Sequence, residues 1–164
     1  MSRLTDDATT FLSADGTPLS EAEVSSAERV VQRFFLTALA KDAPGTMALY
    51  SDESVIEIPF SESGSTEEGA FRRYSGRSEI AAFTAQSHSA EGTMGAWDIE
   101  LHRVDGGATV FVESRGNIIM SSGHEYRNRY VFRFDVEGDI IVRLREYYNP
   151  ITSGLAFGRK IGPV

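Results

Sequence analysis

The stretch "IIVRLREYYNP", residues 140 to 150, alternates like a strand and stops in a turn. Successive strand side chains point to opposite faces, so Ile140, Val142, Leu144, Glu146 and Tyr148 share one face and Ile141, Arg143, Arg145, Tyr147 and Asn149 the other. The first face is apolar except for one carboxyl group. Glutamate is rarely buried in a solid core without a partner, so its place there points to a face that lines a cavity.

The preceding segment divides as cleanly. Residues 124 to 134 put His124, Tyr126, Asn128, Tyr130, Phe132 and Phe134 on one parity and Glu125, Arg127, Arg129, Val131 and Arg133 on the other. The aromatic parity faces the interior, and it turns polar at its start. An antiparallel hairpin about "VEGD" brings that start beside the end of the next strand, where Glu146 lies. Polar groups thus collect at one end of an apolar face, as they do in small-molecule pockets. A carboxyl group there loses solvation, which raises its pKa toward values useful for proton transfer near neutrality. The residues suggest Glu146 as general acid or base, Tyr126 as the group that orients a substrate or shares a proton, and Trp97 as a flat apolar wall. Asn128, Tyr130 and, at the rim, His124 complete this part of the lining. The structural alternative is that Glu146 reaches solvent or an arginine, and that Tyr126 and Asn128 satisfy buried backbone groups. Glu113, in a strand that alternates poorly, has no assignable face.

The rest of the chain supplies the frame. "SEAE" at 20 to 23 predicts a helix start with Ser20 and Glu23 as a capping box, followed by Val24, Ala27, Val30, Val31, Phe34, Phe35 and Ala38 at helical spacing to about Leu39. A short helix after Pro44, a strand over 54–60, an acidic flexible loop "SESGSTEEG" and a helix over 78–88 follow. Strands are predicted at about 95–104, 108–120, 124–136 and 139–149. Helices followed by hairpin-linked strands indicate an α+β fold with a curved antiparallel sheet packed on helices. Residues 1–19 lack periodicity and are expected to form a flexible leader or surface arm, with one domain over 20–164. The apolar tail "GLAFGRKIGPV" is expected to close the cavity or cross to a partner.

Composition narrows the chemistry. The 164 residues include no cysteine, which removes disulfides, thiolate catalysis and cysteine-ligated metals. Three histidines without HExxH spacing make no metal site expected. A net charge of −8 opposes general attraction to nucleic acid or anionic lipid. The arginines at 127, 129, 133, 143 and 145 are better explained by cross-strand ion pairs or a dimer surface, with Asp98 and Glu100 on the matching parity. No apolar run is long enough to span a bilayer and the N-terminus lacks a secretory pattern, so a cytoplasmic protein with small-molecule partners is expected.

The order of elements, "MALYSDESVIEIPF", "YSGRSEIAAF" and "RNRYVFRFDVEGDIIVRLREYYNPI" resemble the SnoaL-like branch of the nuclear transport factor two-like, ketosteroid-isomerase-like superfamily, nearest to the phenazine biosynthesis A/B type. The likeness covers roughly residues 25 to 164. It implies a cone-shaped, cystatin-like α+β barrel, a deep apolar cavity, no cofactor and a homodimer through the outer sheet face. It also implies an acid–base role for Glu146 in "REYYN", a cavity position for Tyr126 and a helix serine at Ser87. The histidine of phenazine-type sites falls on Phe83. The ketosteroid isomerase base falls on Ile58 and its oxyanion-hole tyrosine on Phe34, which argues against that specific activity. The resulting expectation is a cofactor-free isomerase, dehydratase, cyclase or condensing enzyme for an apolar or aromatic metabolite. The alternative is a binding protein using the same cavity.

Overall fold

Two bulges decide which side chains reach the interior. The computed structural model describes residues 1–67 and 69–162, with Asp105 described through its backbone. Glu68 of the acidic loop and Pro163 and Val164 of the apolar tail lie outside the described residues. In chain order the elements are β1 (Ser2–Leu4), β2 (Phe11–Leu12), α1 (Ser26–Leu39), α2 (Ala43–Met47), β3 (Val55–Ile58), β4 (Arg72–Ser75), α3 (Gly76–Ala90), β5 (Glu91–Thr93), β6 (Ala96–Arg103), β7 (Thr109–Met120), β8 (Glu125–Glu137), β9 (Ile140–Tyr148) and α4 (Pro150–Ala156). The strands form one sheet in the order β2-β1-β6-β7-β8-β9-β3-β4, with β5 added to β7. Every described pairing is antiparallel except β3 with β9. The α+β class with a large curved sheet is therefore as expected.

The helices fill the concave side. Helix α1 packs on β6, β7 and β8, and α3 on β3, β4 and β5. Val30, Val31 and Phe35 of α1 meet Val110, Val112, Phe132 and Phe134 in one buried cluster. Edge-to-face contacts join Phe34 to Phe134 at 5.1 Å and Phe35 to Phe132 at 5.8 Å.

The long helix starts later than "SEAE" suggested. Ser20 and Glu23 do pair, but they close a single 3-10 turn that ends as Val24 turns extended. A second box, with Ser25 accepting from the Glu28 amide and Glu28 reaching back to the Ser25 amide at 2.9 Å, opens α1.

Residues 1–19 are not a loose leader. Strand β1 pairs with β6, and Leu4, Ala8 and Phe11 are buried in the main core. The physical reason is Glu28: buried at the helix start, it takes a 2.6 Å hydrogen bond from the Ser2 hydroxyl, which fixes β1 against α1. Three residues are too few for an alternating pattern to show.

In β9 the alternation breaks at Val142. Asp135 pairs with Arg143 and Val136 with Ile141, leaving Val142 as an extra residue. Ile141, assigned by simple parity to the outer face, is therefore fully buried, and the parity from Leu144 onward, including Glu146, stands as read. The start of β9 is held by the Ser54 hydroxyl, which donates to the Ile141 carbonyl at 2.8 Å, and by the Ile141 amide, which donates to the Leu49 carbonyl.

Candidate functional site

Where α1 leaves the sheet, an opening remains between the helix and the strands. It is a cavity of about 120 Å³ lined chiefly by Phe34, Phe35, Phe132, Tyr130, Glu91 and Glu146, with Leu39, Met94 and Ile118 among the other walls. The Glu146 carboxyl accepts no hydrogen bond from any described residue, so its oxygens face this space without a fixed partner. Burial pushes its pKa up from 4.5 to about 7; Arg72 opposes the shift and Glu91 adds to it.

Glu91 is the feature that sequence reasoning missed. It sits at the junction of α3 and β5, where neither helical nor strand periodicity marks a face. It is 7% exposed, and its Oε2 has no hydrogen-bond partner among the described residues. Burial raises its pKa to about 7 as well, with Lys41 pulling the other way. The Lys41 ammonium donates to the backbone carbonyls of Glu91 and Gly92, not to the carboxyl group.

The tyrosine that lines the cavity is Tyr130. Tyr126 stands behind it: its hydroxyl accepts from Tyr130 at 3.0 Å and from Asn128 at 3.2 Å. The Asn128 amide also donates to the Asn149 carbonyl at 3.1 Å and accepts from the Asn149 amide at 3.2 Å, tying β8 to the start of α4. Asn128 is thus a structural clasp, and Tyr126 reaches the cavity only through Tyr130. Desolvation raises the pKa of both phenols. Tyr148, behind Glu146, is pushed up to about 12 by burial and the nearby carboxyl, and it accepts from Arg72, which also pairs with Glu62 at 3.3 Å.

The other expected site residues divide sharply. Phe34 lines the cavity. Trp97 does not: it lies on the outer face, 38% exposed. Asp98, with φ of +51°, makes a bulge between Trp97 and Glu100, so the parity that would have turned Trp97 inward is reset. His124 lies in the exposed turn before β8. Phe83 stacks on Tyr74 at 4.3 Å and Ser87 is half-buried on α3, both away from the cavity lining. Glu113, left without a face by its sequence, is outward and exposed on a strand that alternates well.

The tail folds back on the domain, and none of its described residues is among those lining the cavity. Asn149 caps α4 through the amides of Ile151 and Thr152, and Phe157 packs edge-on against Tyr126 at 5.8 Å. Arg159 lies over the Phe157 ring and pairs with Glu62, while Gly162 bonds the Glu62 carbonyl at 2.9 Å. Among the described residues no group of acidic or imidazole side chains is placed to hold a metal ion, and no helix is long and apolar enough to cross a membrane.

A helix-filled curved sheet with a carboxyl group on the wall of an inner cavity can be compared directly with known proteins. Residues 31–144 match the model of the SnoaL-like domain. The chain belongs to the SnoaL-like family. A curated relative, the protein YesE of Bacillus subtilis (strain 168), is 28% identical over 140 residues, covering 83% of this chain and 90% of its own. A solved structure of a candidate isomerase from Bacillus subtilis superimposes with a TM-score of 0.71 at 23% identity, over 87% of this chain and 99% of that one. A phenazine biosynthesis-related protein from Pseudomonas aeruginosa gives a TM-score of 0.61 at 16% identity, over 85% and 89% of the two chains. These likenesses establish the SnoaL-like cone fold.

Proposed function

We propose that this SnoaL-like protein is a cofactor-free acid–base enzyme of the cytoplasm that acts on a small apolar metabolite, with Glu146 as the group that moves the proton. The observation that carries this reading is the Glu146 carboxyl, free of hydrogen bonds on an aromatic cavity wall, with a pKa of about 7. Near neutral pH such a group is present in both forms, so it can take a proton from one atom of a substrate and return it to another. Tyr130, whose hydroxyl donates to Tyr126 and is fixed by that bond, forms the wall beside it. Isomerisation, dehydration, cyclisation and imine-type condensation all need this much and no more. The space of about 120 Å³ is below the ~300–1,000 Å³ of drug-sized sites, so the substrate is small.

Phe83, at the position of the phenazine-type histidine and packed against Tyr74 outside the cavity lining, favours a second reading in which the cavity binds without converting. Native mass spectrometry and a metabolite screen of protein from its own host, repeated with Glu146→Gln, separate the two. Conversion by the wild type and retention without conversion by the variant support the enzyme. Full turnover by Glu146→Gln, or one ligand held unchanged by both proteins, rejects it.

The outer sheet face is the proposed homodimer surface. It carries a groove of about 900 Å³ bordered by Phe60, Trp97, Val131 and Tyr147 and flanked by Arg127 and Arg129. Exposed apolar side chains ringed by both charge signs suit a self-complementary interface.

A further inference from the structure

We propose that the cavity between α1 and the sheet recognises a small organic cation, an ammonium or iminium group on a compact apolar body, through the carboxyls of Glu91 and Glu146 and the rings around them. This rests on reading the cavity as the substrate site and names the chemical class of what enters it.

Three features of the wall lead there. Two carboxyl groups line one small space: Glu91, 7% exposed, has its Oε2 without a partner, and half-buried Glu146 accepts no hydrogen bond from a described residue. Buried carboxyls without donors are costly, and native structures keep them where a ligand supplies the missing partner. No lysine or arginine is among the residues lining the cavity. Lys41 is held by two backbone carbonyls, and Arg72 by Tyr148 and Glu62. The remaining walls include Phe34, Phe35, Phe132 and Tyr130, with Tyr130 stacked on Phe132 at 5.3 Å and the three phenylalanines meeting edge to face. Aromatic rings around a cation attract it through their quadrupoles, and more strongly in a desolvated site. A neutral apolar ligand would gain the same contacts but leave both carboxyls unpaired, and a single hydroxyl would supply one uncharged donor to two of them.

Burial favours the protonated form of both carboxyls below about pH 7. Glu146 is faced by Glu91 from β5, Arg72 from β4, Tyr130 and Tyr126 from β8, Tyr50 and its neighbour Tyr148; Glu91 is faced by Lys41, Glu146 and Tyr130. The phenols stay neutral near pH 7, since burial raises each of them. A cation entering between the carboxyls favours their ionised form, so binding releases a proton and tightens as pH rises through about 7.

The experiment is calorimetric titration of the full chain with tert-butylammonium chloride and, separately, with neutral tert-butanol of the same shape, at pH 5.5 and pH 8. The expected result is binding of the cation at least tenfold tighter than the alcohol at pH 8, a tenfold or greater loss at pH 5.5, and proton release seen in buffers of different ionisation heat. Glu91→Gln and Glu146→Gln, each checked for an unchanged melting curve at pH 4.5, should each weaken the cation tenfold and leave the alcohol unaffected. Equal affinity for the two probes, no cation binding at millimolar concentration, or a Glu91→Gln protein that binds the cation as the wild type does would overturn the proposal. Because the titration needs no turnover, a chain that holds ammonium but converts nothing refutes only the enzyme reading. A chain that converts a neutral substrate and ignores ammonium refutes only this one.

Discussion

The Tyr130 ring lies over Gly116: a side chain at position 116 would bring its Cβ to 2.7 Å from the tyrosine's Cε2. The ring has little freedom to retreat, because it stacks on Phe132 at 5.3 Å and its hydroxyl is held by Tyr126 at 3.0 Å. Gly116 therefore sets where the cavity's phenol stands. Gly116→Val should cost about 1–3 kcal/mol through overpacking, read as a shift in the urea midpoint, and should change the near-ultraviolet circular dichroism of the tyrosines. A variant with wild-type stability and spectrum would show that Tyr130 is not pinned by this contact.

Glu146 and Glu91 have an opposite pH signature to most carboxylates. Their pKa values rise from 4.5 to about 7 on folding, so between those limits the folded chain keeps protons that the unfolded chain has released. Stability from this source is full below about pH 4.5 and is lost as pH climbs through 7. Glu146→Gln should leave unfolding free energy near pH 4.5 almost unchanged and raise it by about 1–3 kcal/mol at pH 8, at roughly 1.4 kcal/mol per pKa unit. Chemical denaturation at the two pH values checks this; a variant less stable than wild type at pH 8 contradicts it.

How much of this was legible depends on alternation. Strand β8 runs thirteen residues without a break, so the inward set of Tyr126, Asn128, Phe132 and Phe134 could be read directly. Glu146 stayed legible because the bulge at Val142 precedes it and the parity from Leu144 is regular. Ile141 and Trp97 were misplaced for the converse reason: each lies on the far side of a bulge, and a one-residue insertion exchanges the two faces. Asp98 is a non-glycine residue at positive φ, which no pattern of hydrophobicity reveals. Glu91 was hidden at a helix-to-strand junction, and only the folding of β5 onto β7 brings it to the cavity that Glu146 also lines. Strand β1 escaped notice because three residues anchored by Ser2 and Glu28 carry no periodic signal.

That anchoring makes the N-terminal arm a stability element. Leu4 is 4% exposed in the main core, and its strand covers the edge of β6. Leu4→Ala should cost about 2–5 kcal/mol, as large-to-small core changes do. Removal of residues 1–12 should also leave β6 as a bare edge that promotes association. Thermal melts and light scattering test both, and a truncated chain that melts and scatters like the wild type would return these residues to the status of a loose arm.

The proposed dimer has a built-in reporter. Trp97 is the one tryptophan of the chain, and it lies 38% exposed on the outer face beside Arg115, whose guanidinium sits 6.0 Å from its ring centroid. Val131, equally exposed, is paired across the strands with Glu113. A carboxylate at position 131 would face Glu113 within each subunit and meet its copy's acidic groups across the interface, an unfavourable contact of like charges. Wild-type protein at micromolar concentration should sediment at twice the 18.0 kDa chain mass, with blue-shifted tryptophan emission from the covered indole. Val131→Glu should sediment as the monomer with red-shifted emission and an unchanged helix signal. A wild type that sediments at the single-chain mass rejects this face as a dimer surface; a dimeric Val131→Glu with covered Trp97 leaves the dimer but moves its contact away from the centre of β8.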